Sequence, residues 1–277
     1  MEPLEGKVAV ITGGAGGLGS ALARRCLSRG MRLVLADLDA GALEDAARAL
    51  PGAECLTRAV DVTRREDVEA LAEAAYARFG AVHLLFNNAG VGLSKTVADT
   101  TENDWRWVLG VNLWGVVHGV SVFLPRMQEQ GGESRIVNTA SAAGFLSEPG
   151  MAAYSVSKHA VVVLSETLHR ELAQARSPVG VTVLCPAFFP TRISDSERVR
   201  PAALASQAPP SAASLAIQEK LDHAVRAGKL GADEVAALAL EGVLARRLHV
   251  FTHPKIRLAI EERAREILAA CPWPARP

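Results

Sequence analysis

The chain has 277 residues, 49% of them apolar, with 30 basic and 30 acidic side chains and therefore no net charge. That balance, without a basic run or a basic and aromatic stripe, argues against nucleic acid as a partner. No stretch approaches the ~18 uninterrupted apolar residues of a membrane span; Cys26, Cys55, Cys185 and Cys271 are scattered and the seven histidines form no metal-ligand pattern. The expectation is a soluble, cytoplasmic protein with reduced thiols, no metal and no membrane contact. Acidic Glu2 and Glu5 also stand where a signal peptide would need basic residues.

Short apolar runs alternate with helix-period segments. Strands are expected near residues 7–11, 32–36, 55–60, 82–86, 134–139, 180–185 and 248–252, with helices between. Alternation of this kind predicts the α/β class: a doubly wound parallel sheet of about seven strands with helices on both faces. A single domain over 1–277 is the simplest organisation.

The first strand, Lys7 to Ile11, runs into Thr12-Gly13-Gly14-Ala15-Gly16-Gly17-Leu18-Gly19 and then a helix through Arg29. A strand, a glycine-rich turn and a helix make a phosphate cradle: glycines let the backbone approach a pyrophosphate, and the helix aims unpaired N–H groups at it. The second strand ends at Asp37, where an acid can bind the adenosine ribose hydroxyls and would repel a 2′-phosphate, which favours NAD over NADP. On the plainer reading Asp37 and Asp39 cap the helix beginning near Ala40; Asp39 can do so while Asp37 binds ribose.

The fifth strand leads to Ser141, and residues 151–176 read as one helix carrying Tyr154 and Lys158. Positions i and i+4 lie one turn apart on one helix face, roughly 6 Å along the axis. A free tyrosine has a pKa of about 10, and a cation fixed beside it is expected to lower that value. With Ser141 holding a substrate oxygen, Tyr154 could give or take its proton, which is half of a hydride-transfer reaction. A tyrosine four residues before a lysine is common by chance, so the pair gains its meaning from the cofactor cradle.

In combination these motifs resemble the short-chain dehydrogenase/reductase family, in order over about residues 5–192. The turn from Thr12 to Gly19, Asn87-Asn88-Ala89-Gly90, Asn112 in Val111-Asn112-Leu113, and the Ser141, Tyr154 and Lys158 set carry the resemblance. It implies a Rossmann fold and NAD as cofactor, with Tyr154 the general acid/base and Lys158 tuning it and binding the nicotinamide ribose. Ser141 would orient the substrate, and Asn112 would hold a water in a proton relay from Lys158. Gly13, Gly17, Leu18 and Gly19 would cradle the phosphates. Asp61 and Val62 would contact adenine; Asn88, Ala89 and Gly90 would line the cleft. The family usually shows Pro-Gly after the sixth strand, whereas this chain has Pro186-Ala187-Phe188-Phe189-Pro190-Thr191. Alanine loses glycine's freedom at positive φ, so the carboxamide contacts expected of Pro186, Phe189 and Thr191 could differ locally.

Substrate signals lie later. Residues 192–228 begin rich in Pro, Ala and Ser and turn helical; they read as a mobile lid over the cleft, or else as an idle surface excursion. Phe145, Leu146, Met151, Phe188 and Phe189 are candidate pocket walls, favouring a hydrophobic or aromatic secondary alcohol or ketone. The helices spanning Trp105 to Met127 and Ala152 to Gln174 carry more apolar positions than one buried stripe requires. Family members commonly pair these helices, which implies a homo-oligomer, tetramer ahead of dimer, although Trp105, Trp107 and Trp114 could be core. An amphipathic helical extension follows at about 254–270, then a tail marked by Pro272, Pro274 and Pro277. An NADP-linked carbonyl reductase and a non-catalytic NAD-binding sensor are the rival functions; turnover separates the sensor from either enzyme.

Overall fold

Val8, Val10 and Val34 point to one side of the first two strands, Ala9, Ile11, Leu33 and Leu35 to the other, and all seven are fully buried. Side chains alternate along a strand, so apolar residues at consecutive positions require cover on both faces. In the computed structural model, which describes residues 3–271, helices supply that cover. Glu2 and the prolines at 272, 274 and 277 lie outside the described residues.

The chain runs β1 (Val8–Thr12), α1 (Gly17–Leu27), β2 (Arg32–Asp37), α2 (Ala40–Arg48), β3 (Cys55–Ala59), α3 (Arg65–Phe79), β4 (Leu84–Asn87) and α4 (Glu102–Leu109). After a π turn at Gly110–Trp114 come α5 (Gly115–Glu129), β5 (Ser134–Thr139), α6 (Ala152–Gln174) and β6 (Val179–Cys185). Two 3₁₀ segments, Arg192–Val199 and Ala202–Leu204, precede α7 (Ala212–Arg226), α8 (Ala232–Leu244), β7 (His249–Phe251) and α9 (Ile256–Ala269). The seven strands form one sheet in the order β3-β2-β1-β4-β5-β6-β7, parallel at every pairing. This is a Rossmann-like α/β fold. Buried residues of α3, α5 and α6 pack on one face of the sheet, those of α1 and α8 on the other.

Strand order reverses between β1 and β4, and in such sheets the crevice beyond the strand ends at the reversal is where ligands bind. β1, β2, β4 and β5 all deliver their carboxyl ends there.

The helix expected over 105–127 is interrupted. Asn112, fully buried in the π turn, turns its side chain onto Val91: its Oδ1 accepts from Val91 N at 2.8 Å and its Nδ2 donates to Val91 O at 3.0 Å. One residue more per turn places the amide where those bonds form. The helical run Glu102–Glu129 is long and apolar enough by composition to cross a bilayer, yet half of its apolar window is buried in the protein, as in a core helix. Trp107 belongs to that core, whereas Trp114 is exposed.

Candidate active site

The glycine-rich turn is held open from below. Gly13 has φ +64°, a conformation favouring glycine, and a Cβ there would approach Ala89 Cα to 2.9 Å. The first turn of α1 has no side-chain cap and no acidic residue, so its N–H groups face the cleft unopposed. Gly17 meets nothing nearer than Thr191 Cγ2, 3.8 Å from an added Cβ. A cradle of bare backbone beside a helix N-terminus fits a dinucleotide pyrophosphate.

Asp37, at the end of β2, accepts from Ala15 N at 3.0 Å and so ties the glycine turn to the second strand. Asp39 caps α2 by accepting from Ala42 N, which leaves Asp37 on the cleft wall. Asp61 accepts from both the N and the hydroxyl of Thr63, and Val62 lies beside it. The Asn88 side-chain amide donates to Thr12 O at 3.0 Å and accepts from the Thr139 hydroxyl at 3.3 Å, joining the ends of β1, β4 and β5.

Tyr154 and Lys158 stand on α6 facing these strand ends, both buried. Lys158 Nζ lies 5.6 Å from the Tyr154 ring centre and donates to Thr139 O at 2.9 Å. Burial lowers the Lys158 ammonium to about 8. The spacing predicts a lowered tyrosine, but here the outcome is reversed: burial pushes the Tyr154 phenol above its ordinary value, and the hydrogen bond with Ser141 offsets only part of that. Ser141 also donates to Pro186 O at 3.3 Å and caps the short turn Ala142–Gly144.

Asn112 lies behind this pair and does not line the cleft. Besides Val91 its amide donates to Ser157 Oγ at 3.1 Å, so the side chain has partners at both ends. Gly90 separates it from Lys158: a Cβ there would stand 3.4 Å from Asn112 Oδ1 and 3.6 Å from Lys158 Nζ. The missing side chain leaves a gap between the two groups that a relay would have to cross.

The cleft has a volume of about 710 Å³ and runs from Asp37 and Asp61 to α7. Gly13, Gly17, Leu18, Gly19, Val62, Asn88, Ala89, Gly90, Pro186, Phe189 and Thr191 line it together with Ser141, Tyr154 and Lys158. The short chain dehydrogenase family model matches residues 7–201. The chain is a short-chain dehydrogenase/reductase. It is 33% identical over 273 residues to a CLA biosynthesis dehydrogenase/reductase of Lactiplantibacillus plantarum, covering 97% of this chain and 95% of that one. It is 34% identical over 202 residues to an NADP-dependent (R)-specific alcohol dehydrogenase of Lentilactobacillus kefiri, covering 70% and 77%. Among solved structures, a short-chain dehydrogenase/reductase from Burkholderia phymatum in complex with NAD superposes with TM-score 0.96 at 49% identity, covering 100% of this chain and 99% of that one. The family binds a nicotinamide cofactor, and the cradle described above fits one.

The substrate end of this dehydrogenase/reductase differs in part from the sequence reading. Phe188, Phe189, Leu146 and Met151 line the cleft, whereas Phe145 does not. Phe145 turns outward and packs against His249 and Phe251, with ring centres 5.9 and 5.2 Å away, because β7 offers it an aromatic edge. Ala187 needs no left-handed backbone: among the described non-glycine residues only Arg176 and Arg246 have positive φ, so alanine for glycine costs nothing there. Thr191 caps the segment Arg192–Val199. That segment, the turn Ala202–Leu204 and α7 contribute Ile193, Val199, Leu204, Ile217 and Leu221 to the lining of the cleft, with the charged Arg192, Glu197, Arg198, Lys220 and Asp222 beside them. Leu93 and Ser94, which also line the cleft, carry no motif and were not legible in the sequence.

Proposed function

We propose that this short-chain dehydrogenase/reductase is NAD-linked and interconverts hydrophobic secondary alcohols and their ketones. The observation that carries the reading is the placement of Tyr154, Ser141 and Lys158 between the glycine-lined cradle and a part of the cleft to which Leu146, Met151, Phe188, Ile193 and Val199 contribute. A bound nicotinamide supplies or accepts the hydride. In reduction, the Tyr154 hydroxyl gives its proton to the carbonyl oxygen held by Ser141; burial keeps that phenol protonated and ready as an acid. In oxidation Tyr154 must lose the proton first, and the ammonium of Lys158, held by Thr139 O, favours that loss.

NAD is favoured by Asp37. The cleft beside it is lined by Leu38, Val60, Asp61, Val62 and Thr63, which add a second carboxylate and no basic side chain of their own. Trp114, Val156 and Val163, exposed at 54%, 49% and 60%, support association of copies through the π turn and α6.

The test is turnover of aliphatic, aryl, steroid and sugar alcohols with each oxidised dinucleotide, followed by the absorbance of the reduced nicotinamide. Expected are turnover of bulky apolar alcohols with NAD and a loss of roughly 10²–10⁴-fold in Tyr154→Phe with dinucleotide binding retained. Preference for NADP overturns the Asp37 argument; tight NAD binding without turnover of any alcohol moves the chain to the sensor reading.

A further inference from the structure

Asp104 is a fully buried carboxylate on α4, away from the cofactor cradle and unused in the chemistry above. It takes charge from two sides. Lys95 Nζ lies 3.0 Å from its Oδ2 and Arg200 Nη2 2.5 Å from its Oδ1, with the cationic side chains exposed by only 8% and 4%. Asp104 also closes the capping box of α4, accepting from Thr101 N at 2.8 Å and from the Thr101 hydroxyl at 2.9 Å. Its remaining neighbours lock the cations: Arg200 stacks over Trp107 at 4.6 Å and donates to Leu204 O, and Lys95 Nζ donates to Ser206 Oγ at 2.7 Å. Burial alone would raise the Asp104 pKa, but the hydrogen bonds from Thr101, Arg200 and Lys95 outweigh it and hold the group ionised.

Each cation belongs to a different one of two segments that pack together at the substrate end. Lys95 follows Leu93 and Ser94 and pairs by its backbone N with Gly150 O at 2.9 Å, beside the start of α6. Arg200 ends the 3₁₀ segment Arg192–Val199, which packs on the Gly92 loop. Along the same two segments, Gly92 N donates to Ser196 Oγ at 2.9 Å and Thr96 N to Ser214 Oγ at 3.0 Å. A single carboxylate thus sits where two cleft-lining segments pack directly on one another.

We infer that Asp104 is the positioning residue of the substrate end: by holding Lys95 and Arg200 it docks the segment from Arg192 to Ser214 and sets the width of the slot above Tyr154. This rests on the oxidoreductase reading of the cleft. The segment read in sequence as a mobile lid is then a latched wall, and its specificity depends on a group that touches neither substrate nor cofactor.

The test compares the full-length parent with Asp104→Asn, Arg200→Met and Arg200→Lys. Arg135→Met, a buried cation within the sheet bonded to Val181 O, serves as the control for simple destabilisation. Amide exchange at Gly92 and Thr96, and tryptic cleavage at Arg192 and Arg198, are expected to quicken at least tenfold in Asp104→Asn and Arg200→Met. Arg200→Lys should fall between them and the parent, and Arg135→Met should match the parent. Dinucleotide binding should stay within twofold throughout, while KM for a bulky alcohol rises tenfold or more in the latch variants with kcat changed less. Unchanged exchange and cleavage in both latch variants, or equal loosening in Arg135→Met, overturns the proposal. Exchange and cleavage are read without turnover, so a parent inactive on every alcohol would count against the functional reading and not against the latch. Should Asp104→Asn not fold, Arg200→Met, which keeps an apolar side chain on Trp107, decides.

Discussion

Lys158 sits where a charge is least comfortable, and its titration has a measurable sign. Its ordinary value near 10.5 falls to about 8 in the folded chain because burial disfavours the ammonium. Between those values the unfolded chain binds more protons than the folded one, so this group's contribution to stability improves as pH rises through that window. Lys158→Met is expected to melt highest relative to the parent near pH ~7 and to lose that advantage toward pH ~10; a difference that does not vary with pH would show that Lys158 is not desolvated. Asp37→Ser should relax the choice of dinucleotide, read as a fall of at least tenfold in the ratio of kcat/KM for NAD over NADP, because it removes the carboxylate that repels a phosphate, although the tie to Ala15 N goes with it. At this scale much was legible in the sequence. Tyr154 and Lys158 are fixed by helix periodicity, and Gly13 to Gly19 by one local turn. The direction of the Tyr154 shift was not legible, since it depends on how much protein covers the ring, and no spacing encodes that.

At the scale of elements, the π turn is the feature the sequence could not disclose. Periodicity across Trp105 to Met127 is helical throughout, and the departure is set by Val91, whose backbone N and O both bond to the Asn112 side chain. Asn112→Ala strands both of those groups in a buried place, at a cost of about 1–3 kcal/mol for each unsatisfied group. The expected loss of about 2–6 kcal/mol should lower the melting temperature by about 5 °C or more; a variant that melts with the parent would mean that Val91 finds water instead. Phe145 and Phe188 make the complementary case. Both read as pocket walls, yet Phe145 packs on the short edge strand β7. Phe188→Ala should change relative kcat/KM among alcohols of different size, and Phe145→Ala should lower stability and leave that ranking alone.

For the whole molecule, the parallel sheet covered on both faces followed from local runs, because strands buried on both sides leave a continuous apolar signature, whereas the strand order did not. Long-range pairings did not follow: Asp104 and Arg200 are 96 positions apart, and nothing near either residue announces the other. The same separation governs Asn88, which bonds to Thr12 across 76 positions and to Thr139 across 51. Contacts of that range form late in folding, since a long loop must close before they return any energy. The dinucleotide cradle therefore comes into being only when β1, β4 and β5 are in register together, and no partly folded chain can own it. In refolding from denaturant, recovery of dinucleotide binding should lag behind recovery of helical circular dichroism, and a nascent chain that stops before β5 should bind none. Dinucleotide binding then reports that β1, β4 and β5 have reached register together.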